Sequence, residues 1–187
     1  PHAPEALRPS LQPMPEKSPA WAHPAFWLLF LAMAAANVAV GGFVQHMQPL
    51  LGDRGVAPGT AALLGSLYVA MVALGRVATG FLLDRLRPGL VATATMLVPA
   101  ASVLLLLNPS AQIAVLAVPI CLLAFAQGAE VDLLAFFTPR HFGMDRYASV
   151  FGMLIAVVVM AGPVGGMIFG RIFDQTGSYD LAFNLAA

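Results

Sequence analysis

Long apolar runs are the feature that most restricts how this chain can fold. Five of them have roughly the length of a spanning helix and a sixth begins near the end of the sequence, at residues 25–51, 58–86, 90–107, 111–137, 147–173 and 179–187. A helix of about 20 apolar residues crosses a bilayer core with all its backbone hydrogen bonds satisfied internally. With 59% hydrophobic and 10% charged residues, the chain is predicted to be an all-α membrane protein that is truncated within its last helix.

Charge and motif content exclude several other classes. The formal net charge is zero, so bulk electrostatics indicate no nucleic-acid partner. The single cysteine, Cys121, lies in an apolar run, and the sequence holds no zinc-spaced cluster, glycine-rich phosphate loop, HExxH or GxSxG motif. We therefore expect no enzyme, no cofactor and no metal, with membrane lipid as the surrounding medium.

The first 22 residues differ from the rest in composition. Prolines stand at positions 1, 4, 9, 13, 15 and 19 among polar residues, which is typical of an extended, flexible linker. A linker at the start and an end inside an apolar segment together indicate a piece of a longer protein, with its transmembrane part at 23–187.

Basic residues predict the orientation in the membrane. Counting alternate ends of the segments, six lie on the side of the linker and two on the other, namely Arg8, Lys17, Arg85, Arg87, Arg140 and Arg146 against Arg54 and Arg171. The positive-inside rule then places the N-terminal tail in the cytoplasm.

One charge stands deep in the second apolar segment. Arg76, Gly80 and Asp84 are spaced by four and share a helix face. Arg76 lies about 12 Å from Asp84 along the helix, where a charge is costly and is usually kept for function. Three roles stay open for Arg76: contact with a substrate, an ion pair with Glu130 or Asp132, and snorkelling to the headgroups.

Four further polar side chains within the apolar segments are candidate functional groups. Glu130 and Asp132 point about 200° apart around a helix and cannot face one cavity. Glu130 either carries a coupled proton or pairs with an arginine, whereas a structural role is favoured for Asp132. His46, towards the outer end, is either simply solvated or a group that titrates near neutral pH. Asn37, near mid-depth, needs a hydrogen-bond partner from a substrate or a neighbouring helix.

The fifth segment carries a glycine stripe. Gly162, Gly166 and Gly170 recur every four residues, with Gly165 beside them. Small residues allow another helix to approach closely. The contact is either a fixed one or one that slides during a transport cycle.

Two stretches resemble a known family. GRVATGFLLDRLRPG, at the junction of the second and third segments, resembles the loop signature of the major facilitator superfamily. GAEVDLLAFFTPRHFG, followed by the glycine-rich segment and FDQTGSYDLAF, is similar to bacterial monocarboxylate and oxalate/formate porters. The resemblance implies a truncated six-helix half bundle, comprising helices seven to eleven and the start of twelve. Such a half would lie in a bacterial inner membrane and work with a missing N-terminal half.

The same resemblance implies roles for individual residues. In those porters an arginine on helix eight, followed four residues later by glycine, binds the substrate carboxylate, and Arg76 with Gly80 matches that placement. Asp84, with Gly80, Arg85 and Arg87, corresponds to the cytoplasmic gate motif. The oxalate porters also use a lysine on helix eleven, which this chain lacks. A single carboxylate on the substrate is therefore favoured.

These features predict a secondary active transporter that moves a small solute by alternating access. The expected solute is a monocarboxylate or another organic anion, carried with a proton or by exchange. Two alternatives stay open: a non-transporting membrane half that acts only by assembling with a partner, and a superfamily transporter of an unrelated substrate such as a drug.

Overall fold

A computed structural model describes residues 19–106 and 113–186. This described part is helical and holds no strand, with six α-helices in the order α1 (Pro24–Asp53), α2 (Pro58–Arg85), α3 (Pro88–Leu106), α4 (Ile113–Phe142), α5 (Tyr147–Thr176) and α6 (Asp180–Ala186). Short 3-10 turns precede α1 at Ala20–Ala22 and α5 at Met144–Arg146. The tail up to residue 18, the residues 107–112 and Ala187 lie outside the described residues.

The helices have the dimensions and surface of membrane spans. Within the described ranges, α1 to α5 are long and apolar enough to cross a bilayer. Large apolar side chains remain exposed on them, such as Leu63 at 68% and Leu97 at 63%, as expected of surfaces that face lipid. The predicted all-α membrane fold is confirmed.

Proline and glycine set several of the helix ends. Three helices begin on proline, which has no N–H to leave unsatisfied at a first position, namely Pro24, Pro58 and Pro88. Gly143 follows α4 with φ 81° and ψ 162°, a backbone conformation that favours glycine, and Gly177 closes α5 in the left-handed conformation, with φ 67° and ψ 11°. Their N–H groups donate to carbonyls four residues earlier, at 3.0 and 2.7 Å.

The prediction for the end of α4 was wrong. We predicted an end near residue 137, but α4 continues to Phe142. Pro139 removes one backbone hydrogen bond, while Thr138 donates to the Leu134 carbonyl at 2.7 Å. The Arg140 guanidinium also lies 3.2 Å from the centroid of the Phe136 ring. The helix nevertheless continues, because proline keeps its carbonyl, and the Pro139 carbonyl accepts a hydrogen bond from the Gly143 N–H at 3.0 Å.

Two tightly packed helix pairs build the half bundle. The most extensive contacts join α1 to α5 and α2 to α4, and α3 packs against α4. In the most apolar 18-residue stretch of α4, half of the residues are buried, whereas 22–28% are buried in the corresponding stretches of the other spans. The polar residues of α4 are therefore the ones most enclosed by neighbouring helices.

The glycine stripe of α5 is where α1 approaches. A Cβ added at Gly41 on α1 would overlap the Gly162 Cα, and one added at Gly165 would overlap the Val38 carbonyl oxygen. The two backbones are therefore in direct contact at this crossing. A Cβ at Gly162 itself would meet nothing within 4 Å.

The rest of the stripe faces polar side chains of α1. A Cβ at Gly166 would overlap the side chain of Gln45, whose Nε2 donates to the Gly162 carbonyl at 2.8 Å. One at Gly170 would lie 3.4 Å from the Nε2 of His46. Polar groups of α1 thus pack on the stripe along its length.

This geometry separates two glycines that the sequence treats alike. We expect Gly165→Ala to destabilise the protein by about 1–3 kcal/mol, because the added methyl group forces α1 and α5 apart. Gly162→Ala is expected to change stability by less than about 0.5 kcal/mol. Apparent melting temperatures of the purified variants in detergent would measure both. Equal melting of the two variants would contradict the crossing described above.

Candidate functional site

Arg76 lies on an exposed side of α2. The residues one and two turns earlier on the same side, Ala73 and Val69, are apolar and exposed, Val69 at 69%. Among residues 19–106 and 113–186, no carboxylate oxygen lies within 4.0 Å of its guanidinium nitrogens, the distance that an ion pair requires. The five N–H donors of this side chain are thus available to a ligand.

The backbone of Arg76 is fixed by a second close helix crossing. A Cβ at Gly75 would overlap the Phe125 carbonyl oxygen, and one at Gly128 would overlap the Val72 carbonyl oxygen. The Cβ added at Gly128 would also lie 3.1 Å from the Arg76 backbone nitrogen. Glycine on both helices therefore brings α2 and α4 into contact at the level of Arg76.

Asp132 is the acidic residue of α4 whose electrostatic environment includes Arg76. It lies one helical turn after Gly128, on the face of α4 that meets α2, and is half-buried. The positive charge of Arg76 acts on its carboxylate, although the two groups form no ion pair in the described part of the chain. Asp132 and Arg76 thus interact electrostatically at a distance longer than that of an ion pair.

Glu130 is enclosed and is bonded to an amide. Asn37 Nδ2 donates to Glu130 Oε1 at 2.6 Å and to the Met33 carbonyl at 2.9 Å. Asn37 and Glu130 are 5% and 4% exposed, so both N–H bonds of the Asn37 amide are used inside the bundle. The sequence left a substrate or a neighbouring helix as the partner of Asn37, and the structure shows a neighbouring helix.

No arginine pairs with Glu130 in the described ranges. Arg85 lies over the Phe81 ring at 3.8 Å, and Arg140 lies over a phenylalanine of its own helix. The described contacts therefore do not support an ion pair of Glu130 with an arginine. The other role that the sequence left open, carrying a coupled proton, stays a prediction.

A second polar pair lies beside the first. The Tyr68 hydroxyl of α2 donates to Gln127 Oε1 of α4 at 2.7 Å, and Tyr68 is 6% exposed. Gln127 precedes Glu130 by three residues and shares its helix face. The Glu130 carboxylate acts electrostatically on Tyr68. Two hydrogen bonds therefore connect α4 to α1 and to α2 within one polar cluster.

His46 lies apart from this cluster. Its Nδ1 is 3.0 Å from the Gly42 carbonyl oxygen, and its ring stacks on Phe169 with centroids 6.2 Å apart. The Tyr179 ring is 5.5 Å away. The structure thus places His46 between aromatic rings at the α1–α5 contact and does not bring it to Glu130.

The residues predicted to form a cytoplasmic gate motif lie at the end of α2 and in the turn after it. Gly80, Asp84, Arg85 and Arg87 are all exposed, and a Cβ at Gly80 would meet nothing within 4 Å. The face of α2 that carries this motif therefore has room for a partner.

Sequence reasoning did not identify Tyr68 as a site residue. One signal was available, because Tyr68, Val72 and Arg76 extend the four-residue spacing of Arg76, Gly80 and Asp84 by two more turns. The spacing of three between Gln127 and Glu130 places both on one helix face, but the partner of Gln127 could not be read from spacing within one helix.

Comparison with known proteins agrees with this architecture. A family model described as Major Facilitator Superfamily matches residues 1–170. Monocarboxylate transporter 13 of Rattus norvegicus is 30% identical over 158 residues, which cover 82% of this chain and 37% of that protein. The chain thus spans little more than a third of the length of this curated relative. From the family match, the five spans and the helical half bundle, we conclude that this integral, multi-pass membrane protein belongs to the major facilitator superfamily.

Proposed function

We propose that the chain is the C-terminal half of a secondary active transporter that moves a small monocarboxylate by alternating access. The observation that carries the proposal is Arg76, an exposed guanidinium without an ion-pair partner in the described residues, on an apolar face of a spanning helix. It lies about 13 Å along α2 from Arg85. The name of the rat relative supports the same substrate class.

The chemistry of Arg76 suits a carboxylate. A guanidinium stays charged and presents a planar fork that matches two carboxylate oxygens. Binding an anion there neutralises a charge that is costly at this depth. Because α5 has no lysine and its Arg171 is exposed near the helix end, a second fixed cation for a dicarboxylate is missing, and one carboxylate is favoured.

Glu130 is the proton carrier in this proposal. Its carboxyl is enclosed, accepts one amide hydrogen bond and has no cation beside it in the described part. An anion paired with Arg76 and a proton on Glu130 together leave no net charge on the substrate and these two side chains. Crossing the membrane in that form avoids the cost of an exposed charge in the bilayer, which favours movement of the anion with a proton.

The remaining predicted residues are assigned to the cytoplasmic and outer ends. We assign Gly80, Asp84, Arg85 and Arg87 to a gate that contacts the missing N-terminal half, because this surface of α2 is open. The six-to-two distribution of basic residues supports a cytoplasmic tail, and the resemblance to bacterial porters supports an inner membrane. His46 is a candidate for proton movement at the outer end.

Uptake into proteoliposomes tests the proposed substrate class. The transporter that contains this chain together with its N-terminal half would be reconstituted, and uptake of short labelled monocarboxylates measured. We expect saturable uptake that unlabelled monocarboxylates inhibit, with little inhibition by the uncharged amides of the same acids. Inhibition by the amides at equal concentrations would contradict recognition of a carboxylate by Arg76.

A further inference from the structure

A side-chain amide on α4 is held in one orientation with its donors free. The Tyr68 hydroxyl donates to Gln127 Oε1 at 2.7 Å, so the carbonyl end of the amide is used inside the bundle. The NH₂ end of the same amide then points away from Tyr68. Because Tyr68 is 6% exposed and has its ring packed in the apolar core, this orientation is fixed by a well-held partner.

The free nitrogen of Gln127 reaches accessible space. In the described ranges, Arg54 Nη1 is the one fully buried side-chain nitrogen or oxygen without a hydrogen bond. Gln127 Nε2 has no hydrogen-bond partner there either, yet it is not among the fully buried atoms. Two N–H donors are therefore presented at the surface of a half-buried residue.

Gln127 also lies close to the proposed anion site. The next residue, Gly128, is where α4 touches the backbone of Val72 and Arg76. Tyr68 and Arg76 are about 12 Å apart along α2, and their long side chains can approach each other across part of that distance. A ligand held by Arg76 therefore lies beside the turn of α4 that carries Gln127.

We infer that Gln127 is a specificity-determining residue, and that Tyr68 is the positioning residue that orients it. The inference rests on the proposed function. Arg76 holds the carboxylate, and Gln127 Nε2 donates to an uncharged oxygen elsewhere on the same substrate. The site therefore distinguishes acids that carry such an acceptor from acids of the same length that lack it.

A matched pair of acids tests this assignment in the reconstituted transporter. Propanoate and 2-hydroxypropanoate differ by one hydroxyl, and their half-saturating concentrations would be measured for the parent and for Gln127→Leu. We expect the parent to prefer the hydroxy acid. Gln127→Leu should raise its half-saturating concentration about tenfold, which corresponds to one hydrogen bond of about 1.4 kcal/mol, and leave propanoate within about twofold.

Two further variants separate recognition from a structural effect. Tyr68→Phe should weaken binding of the hydroxy acid alone, by about threefold, because the amide can then rotate. Gln48→Leu removes another amide, which donates to the Ala61 carbonyl at 3.1 Å, and should leave the ratio between the two acids unchanged. Gel-filtration profiles would confirm that each variant is folded.

The outcomes distinguish this inference from the proposed function. If the parent transports both acids without preference, or if Gln127→Leu weakens both equally, the role of Gln127 is refuted while monocarboxylate transport stands. If the parent transports neither acid nor any other monocarboxylate, the proposed function fails and the inference fails with it.

Discussion

Replacing Glu130 by Gln is expected to abolish proton-driven accumulation of the substrate while substrate exchange continues. In the parent, Asn37 Nδ2 donates to Glu130 Oε1 at 2.6 Å. The glutamine amide keeps nearly the shape of the carboxyl, and its oxygen can still accept this hydrogen bond. It cannot pick up and release a proton. The variant should therefore exchange labelled for unlabelled substrate across the membrane, but an inward proton gradient should no longer drive accumulation.

Exchange and accumulation can be measured on the same proteoliposomes. We expect the accumulated substrate in Glu130→Gln to fall to the level reached without a proton gradient, with exchange within a few-fold of the parent. Asp145→Asn is the matched control, because Asp145 is an exposed acid in the turn before α5. Gradient-driven accumulation by Glu130→Gln at the parent level would show that another group carries the proton.

Removing the guanidinium of Arg76 is expected to have the second large effect. A hydrogen bond to a charged group contributes about 1.5–3 kcal/mol, so losing both bonds of the guanidinium fork to a carboxylate costs about 3–6 kcal/mol, which is roughly 150-fold or more in affinity. Arg76→Ala should therefore eliminate saturable uptake in the accessible concentration range. Arg76→Lys keeps the charge but loses the planar fork, so we expect an intermediate loss of about tenfold.

Because Arg76 is exposed, the Arg76→Ala variant separates a loss of substrate binding from a loss of folding. The arginine side chain has no ion-pair partner in the described part of the chain, so Arg76→Ala should fold and melt like the parent. Arg171→Ala, which removes an exposed arginine near the end of α5, is the control and should transport normally. Uptake by a folded Arg76→Ala variant with an unchanged half-saturating concentration would exclude Arg76 from the substrate site.

Helix positions followed from the sequence because each depends on neighbouring residues alone. Long apolar runs predict spans, and proline at a first helical position marks where a span begins, as at Pro58. The end of α4 escaped prediction because Pro139 lacks only its N–H, and its carbonyl still accepts a helical hydrogen bond from Gly143. A proline among polar residues therefore does not by itself end a helix.

The connections within the site could not be predicted because they join distant parts of the chain. Asn37 and Glu130 are 93 positions apart, and Tyr68 and Gln127 are 59 apart. Spacing within a helix shows which residues share a face, but it does not say which face of another helix lies opposite. The same limit applies to the glycines, since Gly162 and Gly165 look equivalent until α1 is in place.

The most direct test of coupled transport follows substrate and protons together in one experiment. Proteoliposomes of the reconstituted transporter would carry a pH-sensitive dye in the lumen, and labelled monocarboxylate would be added outside, with Arg76→Ala vesicles as the measure of passive permeation of the acid. We predict that the parent acidifies the lumen in proportion to labelled uptake, above the Arg76→Ala rate. Labelled uptake above that rate without matching acidification, or no uptake above it, would contradict proton-coupled monocarboxylate transport through Arg76 and Glu130.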